Sequence, residues 1–169
     1  MWKGITAVIL LLLLAGFPAA AGAETSGSYE YWEAGSGTAV ITGYSGKEKK
    51  LNIPQEVNGL TVTGIGDGAF YNHKTILSAV IPAGVRVIGR NAFSMCERLA
   101  EVTLPEGLEE IAYNAIIECP KLVSVTIPAS VQIIGFNNFY GCDQVVIHAP
   151  AGSYAAQWAR DNGIPVVTE

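Results

Sequence analysis

Ile81-Pro82-Ala83-Gly84-Val85-Arg86-Val87-Ile88-Gly89-Arg90-Asn91-Ala92-Phe93-Ser94-Met95-Cys96 recurs, with its landmarks in place, over residues 104–119 and again over residues 127–142. Pro82, Pro105 and Pro128 lie 23 residues apart, as do Ile88, Ile111 and Ile134, and so do Cys96, Cys119 and Cys142. A fixed period of roughly 20 to 50 residues marks a solenoid, in which each repeat is one unit stacked on its neighbours. A single repeat of this length cannot bury enough apolar surface to offset the entropy of ordering its own backbone. Stability therefore has to come from stacking.

Within a repeat, Val102-Thr103-Leu104 alternates apolar and polar residues, which points Val102 and Leu104 inward and Glu101 and Thr103 outward. Pro105 has no N–H to give a ladder, so it confines the strand to three or four residues. Leu108 and Ile111 then carry the chain across a second face as a short extended piece. Ala115, Ile116 and Cys119 fall at helical spacing, enough for one helical or 3-10 turn. The expected architecture is a mainly β, right-handed solenoid of about four repeats, with short parallel strands and 3-10 or helical turns.

Two surface rows follow from this frame. The outward strand positions stack Asn52, Ser78, Val80, Glu101, Thr103, Ser124 and Thr126 into a small, mostly polar sheet face, which reads either as a binding surface or as a solvated one. A second row, Asp67, Arg90, Tyr113 and Phe136, comes two residues after the isoleucine of each turn. Asp67 and Arg90 are placed to pair. Tyr113 and Phe136 are neighbouring exposed aromatics, suited to anchoring a partner or to stiffening adjacent coils.

The flanks differ from the repeats. Residues 24–28 are small and polar and read as a flexible leader. Tyr29-Glu30-Tyr31-Trp32-Glu33 and Thr38-Ala39-Val40-Ile41-Thr42-Gly43-Tyr44 flank Ala34-Gly35-Ser36-Gly37, a hairpin signal. We read residues 24–50 as a leader and amino-terminal hairpin cap, and residues 51–148 as the repeats. Pro54 precedes Pro82 by 28 residues, so five residues are inserted around Val57-Asn58-Gly59-Leu60-Thr61, read as a wide turn; Ile65 restores the phase. Val145 stays in step with Leu122, but Pro150 arrives one position early, which predicts a shortened last strand. Ser153 caps a short helix through Ala155, Ala156 and Ala159, closed by Asn162-Gly163, and residues 164–167 finish extended. Residues 149–169 thus form a carboxy-terminal cap, which predicts a chain complete at Glu169.

Residues 1–23 have the form of a Sec-type signal peptide: Lys3, an apolar run over residues 5–17, and small residues leading to Ala21-Gly22-Ala23. The run is shorter than the about 20 residues of a membrane span. Cleavage after Ala23 is expected, with Ala20 as the alternative, and no stable membrane span then remains. The whole chain of 169 residues has a formal charge of −5, and Lys3 is the one charge in the leader. Nucleic acid is excluded as a partner, since phosphate is bound by basic surface that this chain lacks.

No catalytic, cofactor-binding or metal site is expected. His73 and His148 are the two imidazoles, three repeats apart, beyond the reach of a shared metal or proton relay. Cys96, Cys119 and Cys142 form a line along the solenoid axis, whereas zinc ligands converge on a point. They read as three free, buried thiols, a disulfide between neighbours being disfavoured by near-parallel side chains. Gly64-Ile65-Gly66-Asp67-Gly68 has the wrong spacing for a phosphate loop.

The unit V-x-I-P-x-x-V-x-x-I-G-x-x-A-F-x-x-C-x-x-L, read from Val102 through Leu122 and again from Val125 through Val145, resembles the BspA-like, treponemal-type leucine-rich repeats. The resemblance covers about residues 51–148. Ala112 replaces Gly, Ile116 replaces Phe, Asn138 replaces Ala and His73 replaces Cys, all in the packing frame. The resemblance implies a leucine-rich repeat solenoid in a secreted or surface-exposed bacterial protein, with recognition or adhesion toward a protein or glycan and no enzymatic activity. The alternative is a structural or accessory subunit of an exported bacterial envelope assembly.

Overall fold

The structure, a computed structural model, describes residues 23–169; the signal-peptide reading falls on residues 1–23 and so lies almost wholly outside the described residues. The chain opens on three antiparallel strands, β1 (Glu24–Ser26), β2 (Tyr29–Gly35) and β3 (Thr38–Tyr44). Ser36 and Gly37, both at positive φ, turn the β2–β3 hairpin. Residues 24–26, expected as flexible leader, are therefore strand. The reason is Tyr31, buried on β2, whose hydroxyl donates to the Glu24 carboxylate across the β1–β2 pair and accepts from Asn58 Nδ2 at 2.8 Å.

The coils then begin. β4 (Lys50–Asn52) is followed by β5 (Glu56–Val57) and β6 (Leu60–Ile65), and then by β7 (Ser78–Val80), β8 (Val87–Ile88), β9 (Glu101–Thr103), β10 (Glu110–Ile111), β11 (Ser124–Thr126), β12 (Ile133–Ile134) and β13 (Val146–Ala149). Helix α1 (Tyr154–Asp161) leads to β14 (Val166–Thr168). Two sheets result. Sheet I is six parallel strands in the order β14-β13-β11-β9-β7-β4; sheet II is β1-β2-β3-β6-β8-β10-β12, with β5 beside β6. Residues 23 apart sit directly over one another, as in Ala79↔Val102 and Val102↔Val125.

Both breaks in the period fall outside the strands of sheet I. The five-residue insertion is a hairpin, β5–β6, turned by Asn58 and Gly59 at φ 49° and 80°. Both central residues left-handed is the demand of a type I′ turn, which Asn-Gly meets best, so the segment is ordered strand instead of the expected wide turn. At the far end the last repeat strand is not shortened. β13 has four residues, and Ser124 pairs with Val146, an offset of 22. The residue is lost at the corner before the strand.

The third side is a run of tight turns. Bonds such as Ala92 N to Gly89 O (3.3 Å) and Ser94 N to Asn91 O (3.1 Å) span three residues, as in a 3-10 turn. A left-handed residue then intervenes, so no helix propagates. Gly68, Asn91, Asn114 and Asn137 share one such slot, and Asn72, Met95, Glu118 and Gly141 share another. The alternation turns every second N–H toward the next coil. Gly68, Phe70 and Asn72 donate to the carbonyls of Arg90, Ala92 and Ser94, and Phe93 and Met95 to those of Ala115 and Ile117, all at 2.8–2.9 Å.

The core is one continuous apolar column. Its axis carries Tyr44, Phe70, Phe93, Ile116 and Phe139; Phe70 and Phe93 lie parallel at 4.8 Å, Tyr44 covers Phe70 at 5.6 Å, and Trp158 of α1 meets Phe139 edge-on at 6.1 Å. The hairpin and α1 thus close the two ends of the column. Ser153 caps α1 by accepting from Ala156 N at 3.2 Å, and Asn162 with Gly163 at φ 68° ends it. Residues after the helix, expected merely as extended, add β14 to sheet I beside β13.

Candidate functional site

Strand alternation fixes the outer face of sheet I. With Leu51, Ala79, Val102, Val125 and Ile147 buried beneath, the flanking residues point away from the core. One row runs Lys50, Ser78, Glu101, Ser124, Val146, and the other Asn52, Val80, Thr103, Thr126, His148, Val167. Strands about 4.8 Å apart make the second row about 24 Å long. Asn52, Thr103 and Thr126 are exposed, Val80 and Val167 nearly half so. All seven strand residues named from the sequence lie on this one face. Lys50, Val146, His148 and Val167 were missed; His148 and Val167 enter it because β13 keeps its length and β14 joins the sheet, neither visible in the repeat pattern.

The aromatic row lies elsewhere, at the corner between sheet II and the turns. Asp67 does not meet the Arg90 guanidinium; its Oδ1 accepts the Arg90 backbone N–H at 2.7 Å. The guanidinium instead sits 4.8 Å over the Tyr113 ring, a cation–π contact worth about 0.5–1 kcal/mol at an exposed site. Phe136, next in the row, is 86% exposed. The coils approach closely here: a Cβ on Gly135 would come within 2.3 Å of Tyr113 N. Beside this row Glu110 is buried with one carboxylate oxygen unpartnered among the described residues. Burial raises its pKa, and Arg90 pulls in the opposite direction.

The titratable groups do not converge. His73 shares its Nε2 with Gly46 O at 3.1 Å and packs against Tyr44 at the amino-terminal end of the turns, whereas His148 is on sheet I. Cys96, Cys119 and Cys142 are buried and unbridged. The Cys96 and Cys119 thiols each donate to a carbonyl of the preceding coil, Phe70 O and Phe93 O, at 3.2 Å. Burial pushes the Cys96 thiol up to about 11, and the hydrogen bond with Cys142, followed by burial, pushes Cys119 up as well. The Cys96 and Cys119 sulfurs act as turn-sealing donors and remain protonated at neutral pH, whereas Cys142 Sγ accepts the Cys119 N–H at 3.4 Å. Among the described residues no group of His, Cys, Asp and Glu is arranged to hold a metal ion, and no helix is long and apolar enough to cross a membrane.

One further feature escaped the sequence reading. At the carboxy-terminal end of the turn side, a cleft of about 660 Å³ opens between the last turn and the loop after α1, lined by Asn137, Phe139, Gly141, Val145, Asn162 and Ile164 among others.

Residues 49–147 match, in six copies, the model of the BspA type leucine-rich repeat region. Six copies, like the six strands of sheet I, exceed the about four repeats counted from the sequence, because the end units depart from the period. Among solved structures, a leucine-rich repeat protein from Bacteroides capillosus ATCC 29799 is 33% identical with a TM-score of 0.66, the match covering 74% of this chain and 97% of that one. The T. pallidum leucine-rich repeat protein is 27% identical with a TM-score of 0.62, over 75% and 71% of the two chains. One from Bacteroides ovatus ATCC 8483 is 26% identical with a TM-score of 0.65, over 84% of this chain but 36% of its own. Among curated proteins none matches. By the family match over its repeats and by its identity with the B. capillosus protein, this chain belongs to the BspA-type leucine-rich repeat family.

Proposed function

We propose that this is an exported, non-catalytic recognition module that holds a protein or glycan against the outer face of sheet I. The observation that carries the reading is the continuity of that face. Asn52, Val80, Thr103, Thr126, His148 and Val167 follow one another across all six strands as small, mostly β-branched side chains. Such a row is flat and stiff, so a ligand laid on it meets hydroxyls and methyls with little side-chain entropy to lose. Repeat solenoids present binding surfaces of this kind. The apolar leader and Ala21-Gly22-Ala23 support export, with Glu24 as the first mature residue.

The test is a glycan array and a panel of matrix proteins probed with the chain and with Thr103→Arg/Thr126→Arg. The double variant is expected to lose at least about tenfold in affinity, or about 1.4 kcal/mol, with an unchanged circular dichroism spectrum. Wild-type binding by the variant would remove sheet I from consideration. The exposed Phe136 beside Tyr113 favours a second reading, an accessory subunit of an exported assembly. In that case Tyr113→Ser/Phe136→Ser, and not the sheet I variant, releases one co-purifying bacterial protein.

A further inference from the structure

The turn ladder has a direction. In the coils before the last, the turn N–H groups that bond between coils point toward the carboxy-terminal neighbour and the carbonyls toward the amino-terminal one, as in Asn114 N to Phe136 O (3.0 Å) and Glu118 N to Tyr140 O (2.8 Å), Asn91 N making no such bond. A ladder of this kind ends in unpaired donors at its last rung. In the last coil Phe139, at φ 65°, turns its N–H back to Ile116 O at 2.7 Å. Asn138 makes this possible: its Oδ1 takes the Ile116 N–H at 3.0 Å, and its Nδ2 donates to Ala112 O and Gly135 O. The centre of the rung is closed. Asn137 and Gly141, the counterparts of Asn114 and Glu118, donate to nothing among the described residues. Sheet I runs on through β13 and β14, but the turn side stops, and the cleft occupies the place of the next turn.

We propose that this cleft binds a peptide segment of another polypeptide, which adds to the turn ladder as the missing rung. Two carbonyls of the segment, four residues apart, face the Asn137 and Gly141 N–H groups, as Phe136 O and Tyr140 O face Asn114 and Glu118. An apolar side chain three residues after the first carbonyl, in the slot of Phe93 or Phe139, rests on the apolar floor of Phe139, Val145 and Ile164. Asp143 on the rim suits a segment carrying a basic residue. Backbone bonds supply the affinity and the apolar slot the selectivity, as in strand addition to a sheet edge. A second copy of the chain is a poorer occupant. Its complementary carbonyl edge lies at the hairpin end, where Tyr44 stacks on Phe70 and Gly46 O is engaged by His73. This surface is separate from sheet I, so its success or failure leaves the recognition face untouched.

The probe is the blocked peptide Arg-Asn-Ala-Phe-Ser-Met, a copy of residues 90–95, whose first and fifth carbonyls accept ladder bonds in the folded chain. In an amide NMR titration, saturable shifts are expected at Asn137 and Gly141 and not at Gly68 and Asn72, with hydrogen exchange of the first pair slowed about tenfold at saturation. A twin peptide with Ser for Phe should produce neither effect. No shift at peptide concentrations on the order of several mM, shifts centred on sheet I, or an equal response to the twin would each overturn the proposal. So would concentration-dependent shifts of Asn137 and Gly141 without peptide, which would put a second copy in the cleft.

Discussion

Asn138 sits in the slot filled by Ala69, Ala92 and Ala115, so Asn138→Ala merely restores the repeat, and a consensus argument expects it to stabilise. The ladder predicts the opposite. Asn138 is buried and its side chain makes three bonds to backbone groups. Without it the turn has two choices. If Phe139 stays left-handed, Ile116 N–H is left without an acceptor; if Phe139 flips to the conformation of Phe93, Ile116 regains its carbonyl but Phe139 N–H points into a cleft with no next coil. One donor is orphaned either way, at about 1–3 kcal/mol. The flip recovers about 1 kcal/mol of left-handed strain, while the lost bonds to Ala112 O and Gly135 O cost about 1 kcal/mol each. The net expectation is a loss of about 2–4 kcal/mol, which for a chain of this size lowers Tm by about 4–16 °C. Urea unfolding followed by circular dichroism and tryptophan fluorescence measures it, and an unchanged slope shows that the folded state stays compact. A variant as stable as the wild type, or more so, would refute the view that this residue ends the ladder.

Two other outcomes are open to the same measurement. Glu118 is left-handed at φ 54° in a slot where other coils use Asn72 and Gly141, so Glu118→Asn should stabilise by about 0.5–1 kcal/mol; a loss would mean that its carboxylate has a role the turn does not require. Glu110 has a pKa raised above its ordinary 4.5 by burial, so its folded state favours the protonated form. That contribution is fully present below pH 4.5 and is lost as pH rises through the raised value. Glu110→Gln should therefore raise Tm at pH 7 but not at pH 4, and an equal effect at both would exclude titration as the cause.

The repeat frame was legible because burial is written in period. The series Ile65, Ile88, Ile111, Ile134 and Phe70, Phe93, Ile116, Phe139 reads directly as the inside of a column, and the prolines as strand ends. The strand positions on the outer face of sheet I followed from the same alternation. What could not be read were features that break chemical uniformity. The left-handed slot of Asn72, Met95, Glu118 and Gly141 holds four unlike residues, because the requirement there is a backbone angle and not a side chain. Glu24-Thr25-Ser26 looks like leader by composition and becomes strand because Tyr31 needs a partner for its hydroxyl. Asn138 looked like a packing substitution. Its role appears only when the direction of the ladder is known.

Both departures from the 23-residue spacing, the extra residues at Asn58-Gly59 and the missing one before Val146, are absorbed at corners, so no rung of sheet I is thrown out of phase. Length within a coil is thus a free variable at its bends and a fixed one along its rails. A block of one full period can be spliced in or removed between Pro82 and Pro128 without either lid meeting a different surface, which makes the length of the outer sheet face adjustable in steps of one rung.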